Sequence, residues 1–284
     1  MGLSEDRRVF ADNIPSLAAG MSETGPGLPA PAAGGDAPFF EFLRVSKAFN
    51  GHPVLDNVSF QVQRGETACI LGRSGVGKSV TLKLIMGFLK PDQGRIIAAG
   101  QDITDWTEAQ LTEIHKKITM VFQSGALFDS LSVGENVAFP LRDRADLSEE
   151  QIQLLVDGYL DMLEVKRYRD ELPAGLSTGM KRAVAIARAL ASEPAAILYD
   201  EPTTMVDPLM SNTIAELIQK VKRQIKLTSI VVTHDTRLAR RLADRLIFLH
   251  EGRILFWGTS AELEALNDPI LREFWKQDEL SLAI

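Results

Sequence analysis

Two helix starts in this chain carry the chemistry of phosphate holding, and they lie about a hundred residues apart. The first reads Gly72-Arg73-Ser74-Gly75-Val76-Gly77-Lys78-Ser79, a glycine-rich loop closed by a cation and a hydroxyl. Gly75 and Gly77 free the backbone to curl, so that successive N–H groups face phosphate oxygens, and the positive end of the following helix adds to them. Lys78 offers a cation to β- and γ-phosphates, and Ser79 a hydroxyl to Mg2+. The second start is Leu176-Ser177-Thr178-Gly179-Met180, which opens the helical run 181–192. A single nucleotide does not need both. Their co-occurrence implies a nucleotide shared between two copies of the chain.

A third group lies at strand ends. Ile197-Leu198-Tyr199-Asp200-Glu201 is an apolar strand closing on two carboxylates. Asp200 can hold Mg2+ through its water shell, and Glu201 can polarise an attacking water. His234 follows the strand-like stretch 229–233 and can reach a γ-phosphate. Two acids after a strand, or one histidine, would be unremarkable alone; the phosphate loop upstream is what gives them weight.

These residues need a scaffold that brings strand ends together. Strand patterns are read at 39–49, 58–63, 67–71, 118–122, 195–199 and 230–233, with helical pattern between the later ones. A helix is expected over 78–89, stopped by Pro91 and Gly94. Alternating strands and helices imply an α/β fold whose mostly parallel sheet is covered on both faces. Ligands of such sheets bind beyond the carboxyl ends of the strands. Between Gln123 and Gly179 strand pattern is absent, and Ser148-Glu149-Glu150-Gln151 opens a helix whose apolar stripe includes Ile152, Leu155, Tyr159 and Leu163. This reads as a helical insertion. Glu251-Gly252 predicts a hairpin between 245–250 and 254–257. Thr259-Ser260-Ala261-Glu262 caps a further helix before an amphipathic end with Leu271, Phe274 and Trp275, for which packing on its own domain is the default.

Bulk composition narrows the class. With 284 residues, 45% of them hydrophobic, the chain can bury a sizeable core, and a net charge of −7 disfavours a broad nucleic-acid face. One cysteine, Cys69, excludes a disulfide framework and fits a reducing compartment. No stretch approaches the roughly 18 apolar residues of a membrane span. Glu5 and Asp6 without an apolar segment after them argue against a signal peptide, and Asp6 breaks a myristoylation pattern starting at Gly2. Residues 1–36, rich in Gly, Pro, Ala and Ser, read as a disordered leader.

Together the motifs resemble the nucleotide-binding domain of ABC transporters over about residues 40 to 260. The order matches: aromatic Phe49, the P-loop 72–79, Gln123 after a strand, the signature at 176–180, Walker B through Asp200-Glu201, the D-loop Met205-Val206-Asp207-Pro208, and switch His234. The resemblance implies a P-loop NTPase of ABC type, with an antiparallel β subdomain and a helical subdomain over about 125–182 inside a domain spanning 37–259. A C-terminal helical tail follows at 260–284. It implies that ATP binds Gly72, Arg73, Ser74, Gly75, Val76, Gly77, Lys78 and Ser79. Phe49 would stack on adenine, although alone it reads equally as a core aromatic. Glu201, His234 and Gln123 would be catalytic, and Ser79, Gln123 and Asp200 would hold Mg2+. Ser177 and Gly179 would bind the γ-phosphate of ATP held by a second copy.

A narrower resemblance rests on Gln123-Ser124-Gly125-Ala126-Leu127-Phe128-Asp129 and the Glu135–Leu141 stretch that follows, on Met180, on 197–204, and on the Asp268-Pro269 and Phe274-Trp275 tail. It is similar to the ATPases of MCE-associated, Mla-type lipid transporters, which move phospholipids between bacterial membranes. That implies an ATP-hydrolysing motor on the cytoplasmic face of the inner membrane, held there by an integral permease with an MCE-domain partner, and no nucleic acid. Alternatives are an ABC ATPase for another cargo, one acting outside transport, or a nucleotide-gated scaffold. Two departures from the pattern stand out. Thr178 replaces the usual Gly, a penalty if that backbone needs positive φ, and Met205-Val206 replaces the common Gly-Leu.

Overall fold

The computed structural model describes residues 37–280, so the expected disordered leader over 1–36 lies outside the described residues. Two sheets frame them. Strands β1 (Phe40–Phe49), β2 (His52–Val62), β4 (Gln93–Ala98) and β5 (Gln101–Asp102) pair antiparallel in the order β2-β1-β4-β5. The larger sheet runs β10-β9-β3-β8-β7-β6, built from β3 (Thr67–Leu71), β6 (Ile118–Val121), β7 (Ala196–Asp200), β8 (Thr228–Thr233), β9 (Arg245–His250) and β10 (Arg253–Gly258). Its strands from β9 to β6 are parallel, and only β10 runs antiparallel. The α/β architecture with a mostly parallel core sheet is therefore present.

Side-chain alternation divides the interior in two. Cys69, Leu71, Ile197, Tyr199, Val231, Leu246 and Phe248 face one cluster, while Ala68, Ile70, Ala196, Leu198, Ile230, Val232, Ile247 and Leu249 face the other. Both faces are apolar because both are covered. The first cluster carries helices α3 (Val133–Arg142), α4 (Glu149–Met162), α5 (Thr178–Ala191), α6 (Pro208–Ile225) and α7 (Thr236–Leu242). The second carries the antiparallel sheet together with α1 (Lys78–Ile85) and α2 (Glu108–His115). Burial pushes the Cys69 thiol up to about 12, which leaves it an inert small hydrophobe.

Local sequence explains most boundaries. Ser132, Ser148 and Thr259 each close a capping box at the starts of α3, α4 and α8 (Ser260–Ala265). Glu251 and Gly252 adopt φ +47° and +75°, the paired left-handed turn that twists with a hairpin. The expected helix over 78–89 is shorter. It ends at Ile85 with Met86 as cap, and Gly87 turns at φ +69°, with Leu111 2.5 Å from where a Cβ would sit. Gly87, rather than Pro91 or Gly94, stops it. Strand β4 and helix α2 had no strong periodic signal, though Thr107 and Gln110 form a capping box before α2.

Helix α9 (Pro269–Leu280) folds back onto the body. Leu271, Phe274 and Trp275 are buried; Phe274 meets Phe248 edge-on with centroids 4.8 Å apart, and the Arg240 guanidinium lies 4.3 Å from the Trp275 ring centre. Trp275 Nε1 donates to Glu264 Oε1 at 3.1 Å, so its one polar atom is satisfied. Trp275→Ala is expected to lower the unfolding free energy by about 3 kcal/mol in urea titration, as large-to-small core changes do.

Candidate functional site

In-register pairing of parallel strands decides which residues meet. Leu71 pairs with Thr233 and Asp200 with Val232, so the loop after β3, the acids after β7 and the histidine after β8 emerge at one edge of the sheet. Residues 72–77 turn there, with Gly72, Gly75 and Gly77 at φ +155°, +82° and +104°. Space matters as well at two of them. A Cβ on Gly72 would lie 2.4 Å from Leu249 O, and one on Gly77 2.7 Å from Leu55 Cδ2 and 2.9 Å from Val54 O.

Lys78, the first residue of α1, is buried and turns its ammonium into the loop. Nζ donates to the carbonyls of Gly72 at 2.9 Å and Arg73 at 3.1 Å, and pairs with Glu201 Oε1 at 3.2 Å. Ser79 Oγ donates to Asp200 Oδ1 at 2.9 Å. Burial raises the Asp200 carboxyl above the ordinary carboxylate range; Ser79 opposes the rise and the Glu201 charge adds to it. At Glu201 burial also pushes upward, but the hydrogen bond with His234, the Lys78 charge and the Thr204 hydroxyl outweigh it and hold the group at about 2. His234 Nδ1 lies 2.8 Å from Glu201 Oε2, which also accepts from Thr204 Oγ1 at 2.9 Å. The same bond raises the imidazole above its usual value, against a smaller opposing effect of burial. Glu201 is thus a carboxylate at neutral pH, held between the Lys78 ammonium and the His234 imidazole.

Around these groups opens a cavity of about 670 Å³ lined by Arg73, Ser74, Gly75, Gly77, Lys78, Ser79, Gln123, Glu201, Thr204 and His234. Gln123 comes from just beyond β6. Val76 instead packs partly buried against the core beside Gly72. The remaining predicted residues lie elsewhere. Phe49, at the end of β1, is 40% exposed with Lys47 Nζ 5.6 Å from its ring centre, so the core-aromatic reading does not hold. It is not among the lining residues of the cavity. Neither are Ser177 and Gly179. Ser177 caps α5, its Oγ accepting from Met180 N at 3.3 Å. Gly179 lies so close to α6 that an added Cβ would sit 1.9 Å from Met210 Sδ. The chain therefore gathers the P-loop, Gln123, Asp200, Glu201 and His234 and leaves the helix start at Ser177 and Gly179, expected to hold a second phosphate, outside the cavity lining.

The two sequence departures separate. Thr178 is not among the positive-φ residues, so its Cβ brings no backbone strain. Met205 does stand at φ +62°, in the region that favours glycine, with its side chain 86% exposed. Sequence reasoning missed Thr204, whose hydroxyl orients Glu201, and Phe274, which lines the cavity from α9. A threonine in a turn carries no signal for the first. The tail pattern located Phe274 without indicating how close the fold brings it.

The glycine geometry gives an ordered expectation. Nothing lies within 4 Å of a Cβ on Gly75, so Gly75→Ala meets only its φ of +82°, costing about 1 kcal/mol. Gly77→Ala adds steric overlap with β2 and should cost at least about twice that. Urea denaturation of the two variants checks the order.

Known proteins resemble this chain along most of its length. The ABC transporter family model matches residues 55–204. The intermembrane phospholipid transport system ATP-binding protein MlaF of Haemophilus influenzae is 39% identical over 223 residues, covering 78% of this chain and 84% of that one. Protein TRIGALACTOSYLDIACYLGLYCEROL 3 of Arabidopsis thaliana, a chloroplastic protein, is 39% identical over 247 residues, 81% of this chain and 71% of its own. Among solved structures, the ATP-binding cassette MJ0796, a dimer in a post-hydrolysis state bound to ADP and Pi, aligns with a TM-score of 0.71 at 33% identity, over 78% of this chain and 98% of its own. With a matching family model over the P-loop and Walker B strand and relatives aligned along most of both lengths, the chain belongs to the ABC transporter family as an ATP-binding, ATP-hydrolysing subunit.

Proposed function

We propose that this chain is the motor of a phospholipid transporter, which binds ATP on residues 72–79 and uses Glu201 to activate the attacking water. The observation that carries the catalytic half is the convergence of Lys78, Ser79, Gln123, Glu201 and His234 on one cavity. When triphosphate enters, Lys78 Nζ exchanges the Gly72 and Arg73 carbonyls and Glu201 Oε1 for phosphate oxygens. Glu201 then loses one of the three groups that depress it and gains a negative neighbour, so its basicity rises where the water must lose a proton. His234 keeps Oε2 oriented and offers its other ring nitrogen to the γ-phosphate. Phe49, exposed at the strand end, would stack on adenine.

Mg2+ fits the donors present. Ser79 Oγ and Asp200 Oδ1, already 2.9 Å apart, and the Gln123 amide oxygen are hard oxygen ligands, and Mg2+ prefers one or two such groups plus phosphates and water over an all-protein cage. Bound there, it would neutralise charge developing on the β- and γ-oxygens.

Ser177 and Gly179 lie outside the cavity on an intact, capped helix start, which supports pairing with a second copy whose γ-phosphate they would hold. The names of the two relatives, one a phospholipid transport protein and the other called after a galactolipid, support lipid as the cargo class. No helix among the described residues is long and apolar enough to cross a membrane. An integral permease would therefore couple the motor to lipid, with an MCE-domain protein beyond it, on the cytoplasmic face of a bacterial inner membrane.

Glu201→Gln should lower kcat for ATP by about 10²–10⁴-fold, the range for removing a general base, with nucleotide binding retained; wild-type turnover would exclude Glu201 as base. Lys78→Ala should abolish both binding and phosphate release. For the cargo, affinity purification from the native membrane should bring down a multispanning permease and an MCE-domain protein with bound phospholipid. Recovery of a permease with another class of solute would overturn the lipid assignment.

A further inference from the structure

One buried cation in this fold serves no phosphate. Arg182 sits one turn into α5, four residues after Thr178 and so on the same face of the helix. Its guanidinium is buried, and its partners are all main-chain carbonyls of the turn that follows β7. Nη1 donates to Glu201 O and Pro202 O, each at 3.1 Å, and Nη2 donates to Thr204 O at 3.2 Å. That turn is the one that must aim the catalytic carboxylate. Glu201 itself stands at φ +47°, a left-handed conformation that is strained for an L-residue and persists only where the surroundings over-determine it.

We infer that Arg182 is a positioning residue: it pins the strained Glu201 turn to the helix that carries Ser177 and Gly179. The inference rests on the reading of Glu201 as the base. Three things make arginine the residue for the task. Its planar fork presents several donors in fixed directions, so one side chain spans carbonyls of residues 201, 202 and 204 at once. Buried carbonyls at a tight turn need partners, and here the fork supplies them. The far side of the loop is gripped by the same helix, since Met210 at the start of α6 packs directly on Gly179. Thr204 then transmits the fixed backbone to the carboxylate, through its hydroxyl on Glu201 Oε2. The helix start outside the cavity and the base inside it are thus one mechanical unit, and a shift of α5 at Ser177 carries the Glu201 turn with it.

Arg182→Lys keeps the charge but cannot bridge three carbonyls. It should lower kcat by about tenfold or more, as misplacing a reacting group does, while KM for ATP and the affinity for a fluorescent ATP analogue change less than about twofold. Hydrogen exchange at the amides of residues 201–205 should rise, with α5 itself still protected. The decisive comparison uses Glu201→Gln. With no base left to aim, Arg182→Lys should alter the residual rate less than about twofold in that background, because residues acting as a unit are non-additive. An equal fold-loss in both backgrounds, or a loss carried in KM, overturns the positioning role. Wild-type turnover by Glu201→Gln alone removes the base instead, and the inference with it. If the lysine variant melts below assay temperature, Arg182→Gln takes its place, with the same pattern expected and the same overturning results.

Discussion

In a parallel sheet every strand ends on the same edge, and register alone decides which residues become neighbours there. Leu71 opposite Thr233 and Asp200 opposite Val232 bring the three loops that follow β3, β7 and β8 into one cluster. A slip of a single residue in β7 would turn Asp200 to the opposite face. What prevents the slip is burial on both faces: Ile197 and Tyr199 belong to one core, Ala196 and Leu198 to the other. The catalytic geometry is therefore a consequence of apolar packing two to four residues away.

That packing leaves a concentrated set of charges at the edge. Lys78 and Glu201 are both largely buried and lie 3.2 Å apart, an arrangement stable only because each is further bonded, Lys78 to two carbonyls and Glu201 to His234 and Thr204. Such a set is poised for exchange. An incoming anion would offer Lys78 a better partner than a loop carbonyl and release Glu201 toward higher basicity, so that, with Glu201 as the proposed base, substrate arrival and its activation would be one electrostatic event. Asp200, raised by burial and by its neighbour's charge, is the group that a divalent cation would relieve most.

The site was largely legible in the sequence because its chemistry is contiguous. Residues 72–79 and 197–201 carry strand, turn and charge within a few positions, and their helix or strand context can be read locally. The sequence pattern puts the stop of α1 too late because Pro91 and Gly94 are louder signals than Gly87, whose missing side chain makes room for Leu111, a contact no local window holds. β4 and α2 escaped because their burial depends on β1 and β6. Phe274 and Thr204 were illegible for the same reason: each matters through a neighbour supplied by tertiary structure. Thr178 shows the reverse. Its cost hangs on whether the backbone needs positive φ, and the helical backbone there brings no such strain.

The account stands or falls on whether one ATP is held by two chains. The cavity of a single chain is lined by Lys78, Glu201 and the P-loop, and the helix start proposed to hold a second phosphate is not part of that lining. Light scattering of Glu201→Gln at saturating ATP and Mg2+ is the most direct measurement. The account predicts a doubling of the 31.2 kDa mass, reversed when nucleotide is removed; a mass that stays at one chain with ATP demonstrably bound would contradict it.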